Sequence, residues 1–179
     1  MKFNTKAIHG GQKPEETTGA VMPPVFLTST FAQSSPGTHK GYAYARGTNP
    51  TRTALEKSFA ALENGTHGFA FSSGMAAIDC VLRLLKPGDE IIAGDDLYGG
   101  TYRMFTQLFQ KYGLIFSFVD MDLVSNISEK ITEKTKLVWL ETPTNPLMKI
   151  ADIKAISSAI KTKNTDIIIA VDNTFATPY

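Results

Sequence analysis

A chain of 179 residues, 42% hydrophobic and 20% charged, has apolar content for one core with an appended arm and is short for two full domains. Eighteen basic against seventeen acidic residues leave a formal charge of +1, which argues against nucleic acid as a partner and against an electrostatic membrane footprint. A single cysteine excludes an internal disulfide framework, the segment after Met1 is too polar for a signal peptide, and no apolar run approaches the ~18 residues of a membrane helix, so the chain reads as cytoplasmic.

Residues 1–48 are rich in Pro, Gly, Ser and Thr without sustained periodicity, and read as an extended arm that must pack on something. Organisation changes at Asn49-Pro50. From 51 onward Leu55, Phe59 and Leu62 recur at helical spacing, and Gly65 stands where that helix would stop. Strand and helix signals then alternate: a strand over 68–71, a helix over 74–85 ended by Lys86-Pro87-Gly88, a strand over 90–93, a helix over 99–112 and a strand over 114–119. A short helix over 125–134, an apolar strand over 137–140, a helix over 152–161 and a strand over 166–171 complete the series. The pattern predicts an α/β fold, a mainly parallel sheet with helices on both faces. Cys80, inside the second helix, reads as a buried inert thiol.

In such sheets ligands bind beyond the carboxyl ends of the strands, so the polar segments that follow each strand are where chemistry is expected. Ser72-Ser73-Gly74-Met75 opens a helix. A small-residue turn there caps the helix, and it equally offers unpaired N–H groups and a positive dipole end to a phosphate. No G-x-G-x-x-G follows a strand and no G-x-x-x-x-G-K-[ST] occurs, so a monophosphate fits better than a dinucleotide or a P-loop ligand. Asp172, at the end of the last strand, is either a turn cap or a carboxylate for a protonated ring nitrogen. Pyridoxal phosphate carries both a phosphate and a pyridine nitrogen.

Three further post-strand residues and two in the arm join the candidates, each with an ordinary alternative. Tyr98, ahead of Gly99-Gly100, fills the upper edge of the sheet or lies over a flat ligand. Asn145, between Thr144 and Pro146, starts a turn or donates to a phenolic oxygen. Glu141 caps its strand or is a charge partner in the same cleft. Tyr44 and Arg46 fall on one side of an extended segment, as solvated residues or as a phosphate clamp.

Five segments carry a resemblance: Tyr44-Ala45-Arg46-Gly47-Thr48-Asn49-Pro50-Thr51-Arg52, Phe71-Ser72-Ser73-Gly74-Met75-Ala76-Ala77, Asp96-Leu97-Tyr98-Gly99-Gly100-Thr101, Glu141-Thr142-Pro143-Thr144-Asn145-Pro146 and Val171-Asp172-Asn173-Thr174-Phe175. In order and spacing they resemble the cystathionine γ-synthase, γ-lyase and β-lyase family of trans-sulfuration enzymes, pyridoxal-phosphate proteins of the aspartate-aminotransferase fold type. The resemblance implies that Gly74 and Met75 bind the cofactor phosphate through main-chain N–H groups. Tyr44 and Arg46 would clamp the phosphate of a neighbouring subunit. It further implies that Tyr98 stacks on the ring and helps move protons, that Asp172 pairs with the ring nitrogen, and that Asn145 contacts the phenolic oxygen. Thr174 and Glu141 are placed near the ring, and no metal is implied.

On this resemblance residues 1–48 form the arm, and 49–179 form the front part of the cofactor-binding large domain of a homo-oligomer, a dimer of dimers. The implied substrates are cystathionine, O-acylhomoserine and cysteine, in γ-elimination or γ-replacement. β-Lyase and methionine γ-lyase are the alternatives within the family, and Gly100 counts against the latter, which typically carries cysteine there. The family's Schiff-base lysine follows the Asp172 motif in a Ser-x-Thr-Lys-like segment, and no lysine of this chain matches it. Lys149, Lys154, Lys161 and Lys163 read as solvated charge. The chain therefore reads as a fragment, inactive by itself. The alternative of another class is a truncated, non-catalytic cofactor binder or interaction module.

Overall fold

Asn49 caps the first long helix by accepting the N–H of Thr51 at 2.8 Å, and Pro50 occupies the first helical position, where its missing N–H is not needed. In the computed structural model, which describes residues 1–178, this helix belongs to the first of two compact units, residues 1–71; residues 72–177 form the second.

The first unit holds more structure than an arm without periodicity predicts. It contains α1 (Phe3–His9), a small antiparallel hairpin of β1 (Gln33–Ser35) and β2 (Thr38–His39), and α2 (Pro50–Leu62). α1 packs on α2, and Gly11 is the residue that allows it. Its φ is +71°, and a Cβ there would stand 2.2 Å from the carbonyl oxygen of Lys57. The chain leaves α2 through Asn64, whose φ of 55° does the work expected of Gly65.

The strand expected over 68–71 does not form. Phe69 is 76% exposed, and the Ala70 N–H, which a ladder would have used, donates to Glu56 Oε1 at 3.0 Å. Gly68 lies so close to α2 that a Cβ would be 2.1 Å from the Glu56 carbonyl oxygen. Alternation of Phe with small residues predicts a strand only where a partner edge is offered, and here α2 takes the segment instead.

The second unit follows the alternation closely. Its elements are α3 (Gly74–Leu82), β3 (Glu90–Gly94), α4 (Gly99–Arg103), β4 (Ile115–Val119), α5 (Val124–Ser128), β5 (Thr135–Glu141), α6 (Ile153–Lys163) and β6 (Ile168–Asp172). The four strands form one parallel sheet in the order β4-β3-β5-β6. Period-2 alternation divides their side chains between two cores. Ile91, Ala93, Leu137 and Trp139 face α3 and the helical run after α4, where Phe105 stacks on Phe116 at 4.8 Å and meets Trp139 edge-on at 5.7 Å. Ile92, Val138 and Leu140 face α5 and α6, against Ile127, Ile156 and Ile160.

Three helices differ from the periodic expectation. The run predicted over 99–112 is α-helical only to Arg103, then a π turn (Met104–Leu108) and a 3₁₀ turn (Phe109–Tyr112), ended by Gly113 at φ 87°. α5 stops at Ser128 rather than 134. Beyond it the Thr132 N–H donates to Thr135 Oγ1 and the Lys134 N–H to Thr132 Oγ1, and such local bonds compete with helix. α3 stops at Leu82 and continues as turns to Leu85. On α3 the buried positions are Ile78 and Leu82, and Cys80 lies about 200° around the helix from each. It is exposed, not buried as expected.

Candidate functional site

The chain leaves β3 toward β4 on one side and returns to β5 on the other, so its direction of travel across the sheet reverses between these two neighbours. In open parallel sheets that reversal opens a crevice outside the carboxyl ends of the strands. Tyr98 follows β3 and Asn145 follows β5, one on each side of it.

The two loops are fastened to each other by buried carboxylates. Glu141, the last residue of β5, accepts the Tyr98 N–H on both oxygens, at 3.1 and 2.9 Å, and the Asn145 N–H at 2.8 Å. Asp96 accepts the Thr144 hydroxyl and, at 3.0 Å, the Leu147 N–H. Thr144 Oγ1 in turn accepts the Lys149 N–H at 2.8 Å. The peptide bonds before Pro143 and Pro146 are both cis. Burial pushes the Glu141 carboxyl above its usual pKa; the two N–H groups oppose this, and the charges of Asp172 and Asp96 add to it.

A cavity of about 320 Å³ lies over this platform, lined by Ser73, Gly74, Met75, Ile78, Tyr98, Glu141, Pro143, Asn145, Asp172, Thr174 and Phe175. Its size is at the lower end for small-ligand sites, about 300–1,000 Å³. Ser73 caps α3, accepting the Ala76 N–H at 3.1 Å. Asp172 ends β6; its Oδ1 accepts the N–H and hydroxyl of Thr174 at 3.2 and 2.6 Å. The ring of Tyr98 lies against Gly100, where a Cβ would be 2.4 Å from Cε1.

All the cavity residues belong to the second unit. Tyr44 and Arg46 belong to the first, with Arg46 Cζ 5.0 Å from the Tyr44 ring centroid. The segment is extended only as far as Tyr44, which bridges Thr30 antiparallel, and turns at Arg46: the Tyr44 carbonyl accepts the N–H groups of Gly47 and Thr48. Two lysines expected to be solvated have partners. Lys149 bridges Asp95 and Asp120 at 3.3 and 3.5 Å, and Lys161 Nζ donates to the Thr165 and Ile167 carbonyls, closing the end of α6. Lys149 is held charged because these two carboxylates outweigh its desolvation.

The buttress of Asp96 and Thr144 carries no sequence signature, since nothing local tells a strand-end aspartate that reaches another loop from one that caps its own turn. Phe175 also lines the cavity, and its only sequence signal was its place beside Thr174.

The pattern of the Cys/Met metabolism PLP-dependent enzyme family matches residues 4–179. The chain belongs to this family. It is 52% identical over 177 residues to a cystathionine β-lyase of Coxiella burnetii, covering 98% of this chain and 45% of that protein. It is 50% identical over 177 residues to a probable cystathionine γ-synthase of Herpetosiphon aurantiacus, covering 99% of this chain and 55% of that protein. The crystal structure of a cystathionine γ-lyase from Lactobacillus plantarum, complexed with L-serine, superposes with a TM-score of 0.93 at 46% identity, covering all of this chain and 46% of that one. The chain thus spans about half the length of the relatives it matches, and its parallel sheet is that of the family's large domain.

The cavity fits the family's cofactor on two observations. The N–H groups of Gly74 and Met75, in the first turn of α3, find no acceptor among the described residues, and a Cβ at Gly74 would meet nothing within 4 Å. Asp172 Oδ2 has no partner among the described residues, while Oδ1 has two. Among the described residues no group of His, Cys, Asp and Glu is arranged to hold a metal, and no helix is long and apolar enough to cross a membrane.

Proposed function

We propose that residues 1–179 are the front part of a pyridoxal-phosphate enzyme of trans-sulfuration, of the cystathionine γ-synthase or γ-lyase type, acting on cystathionine, O-acylhomoserine and cysteine. One observation carries the reading: the unpaired N–H groups at Gly74 and Met75 and the open oxygen of Asp172 border one cavity, with Tyr98 and Asn145 on its wall. Bound there, pyridoxal phosphate supplies an electron sink for a carbanion at the substrate's α-carbon.

Gly74 and Met75 hold the phosphate through main-chain N–H groups at the positive end of α3. Asp172 accepts the ring N–H, and its charge favours the protonated ring. Thr174 keeps that carboxylate aimed by occupying Oδ1. Tyr98 covers the ring face and offers its hydroxyl for proton transfer. Asn145 donates its side-chain amide to the phenolic oxygen. Tyr44 and Arg46, in the arm 1–48, clamp the phosphate of a neighbouring copy, which makes the protein at least a dimer and, assembled, a dimer of dimers. No lysine of residues 1–179 matches the one that joins the cofactor, so that group, and catalysis, belong to the full-length protein. Its place is cysteine and methionine biosynthesis in the cytoplasm.

The test uses the full-length protein stripped of cofactor. Added pyridoxal phosphate should give a visible absorption band and stay attached after borohydride reduction, and Asp172→Ala should weaken uptake roughly 10-fold or more, the value of a charge-assisted hydrogen bond. Uptake that Asp172→Ala leaves unchanged overturns the reading. Release of cysteine from cystathionine marks the γ-lyase branch; condensation of O-acylhomoserine with cysteine marks the synthase.

A further inference from the structure

Glu141 combines three features that a strand-end cap does not need. It is 7% exposed, it stands near two other carboxylates, Asp96 and Asp172, and its bonds run to main-chain groups 43 residues apart on one side and four on the other. Burying a carboxylate among carboxylates is costly, and a strand end that only needed covering is served by an apolar residue. The two amides it holds belong to Tyr98 and Asn145, the residues on either side of the crevice.

We infer that Glu141 is a positioning residue, whose carboxylate ties the main chain at Tyr98 to the main chain at Asn145 and so sets the spacing of the two side chains that meet the cofactor ring. The inference rests on the proposed function for the identity of that ring. Both Glu141 oxygens accept main-chain N–H groups of the two loops, so what the carboxylate holds is the site's framework. Its role is exerted through its neighbours. Asp96 already fastens the same two loops, but at Thr144 and Leu147. Glu141 adds a tie at the ligand-bearing positions themselves.

The tie uses both oxygens: Oε1 accepts from Tyr98 and Asn145, and Oε2 makes the shorter bond to Tyr98. In Glu141→Gln, an amide oxygen at the Oε1 position keeps the Asn145 bond, and the amide nitrogen then faces the Tyr98 N–H where Oε2 stood 2.9 Å away. Donor meets donor there, and the Tyr98 N–H is left with its longer contact to Oε1, 3.1 Å, which it shares with the Asn145 N–H, so the Tyr98 end is loosened.

The experiment is a double-mutant cycle in the full-length protein, read as the dissociation constant for pyridoxal phosphate after stripping. Glu141→Gln should weaken binding about 10- to 100-fold in the wild-type background. In a background carrying Tyr98→Ala and Asn145→Ala the same substitution should change binding less than about threefold, because the groups it acts through are gone. An equal loss in both backgrounds, or no loss in either, overturns the inference. Amide hydrogen exchange on the unsubstituted protein tests the tie without any variant: the Tyr98 and Asn145 amides should exchange slowly, and exchange of either at free-loop rates overturns it. If the unsubstituted protein takes up no pyridoxal phosphate, the proposed function fails, while the exchange result still decides whether Glu141 holds the two loops.

Discussion

Gly100→Ala separates folding from ligand binding at a single methyl group. The added Cβ would lie 2.4 Å from Tyr98 Cε1, 3.0 Å from Cζ and 3.0 Å from Met75 Sδ. Carbon atoms rest at about 3.5–4.0 Å, so the Tyr98 ring must retreat by about 1 Å or more. It has room to do so, being 46% exposed, whereas its main chain is held on Glu141. The backbone contribution has the opposite sign: Gly100 sits in α4, where alanine is favoured over glycine by about 0.5–1 kcal/mol. Stability of the cofactor-free protein should therefore hold or rise slightly. Binding of pyridoxal phosphate should weaken by the stacking that a displaced ring forfeits, about 0.5–1.5 kcal/mol, or roughly 2- to 10-fold. Thermal melts and a spectroscopic titration of the full-length variant measure the two quantities. Affinity equal to or tighter than that of the unsubstituted protein would refute the placement of Tyr98 over the ring.

Two further outcomes test the scaffold. The Glu15 carboxyl is held at about 2, below its ordinary 4.5, by the N–H of Thr17 and the hydroxyl and N–H of Thr18. A lowered pKa means that the turn's stabilisation is full above 4.5 and is lost as pH falls toward about 2. The amide shifts of Thr17 and Thr18 followed by NMR should titrate near the lower value, and a midpoint at 4.5 contradicts the bonding. Ile156, fully buried between α6 and the sheet, is the core example: Ile156→Ala should cost about 2–5 kcal/mol in denaturant unfolding, and a loss below about 1 kcal/mol would show that α6 is not seated on Ile92, Val138 and Leu140.

Most of the second unit was legible in the sequence because parallel strands buried on both faces are uninterrupted apolar runs. Leu137-Val138-Trp139-Leu140 announces itself in this way without any knowledge of its partners, and Ile167 to Val171 is an equally unbroken apolar run although β6, at the sheet edge, is only half-buried. In the first unit only α2 was legible, from the spacing of Leu55, Phe59 and Leu62. Its helix α1 and its hairpin are short and polar, without buried side chains of their own to impose a period. Cys80 was misjudged for a simpler reason: an apolar helix does not say which side faces the sheet, and the pair Ile78 and Leu82 decides it.

The alternating architecture, the family, and the identity of the residues at the carboxyl ends of the strands are all written in local runs of a few residues and can be read without coordinates. That Gly74, Met75, Tyr98, Asn145 and Asp172 share one cavity, and that Glu141 and Asp96 fasten its two walls, follows from the folded arrangement alone. Strand order places β5 beside β3 rather than beside β4, the strand before it in the chain, and hydrogen bonds between residues more than 40 positions apart exist only once that order is made.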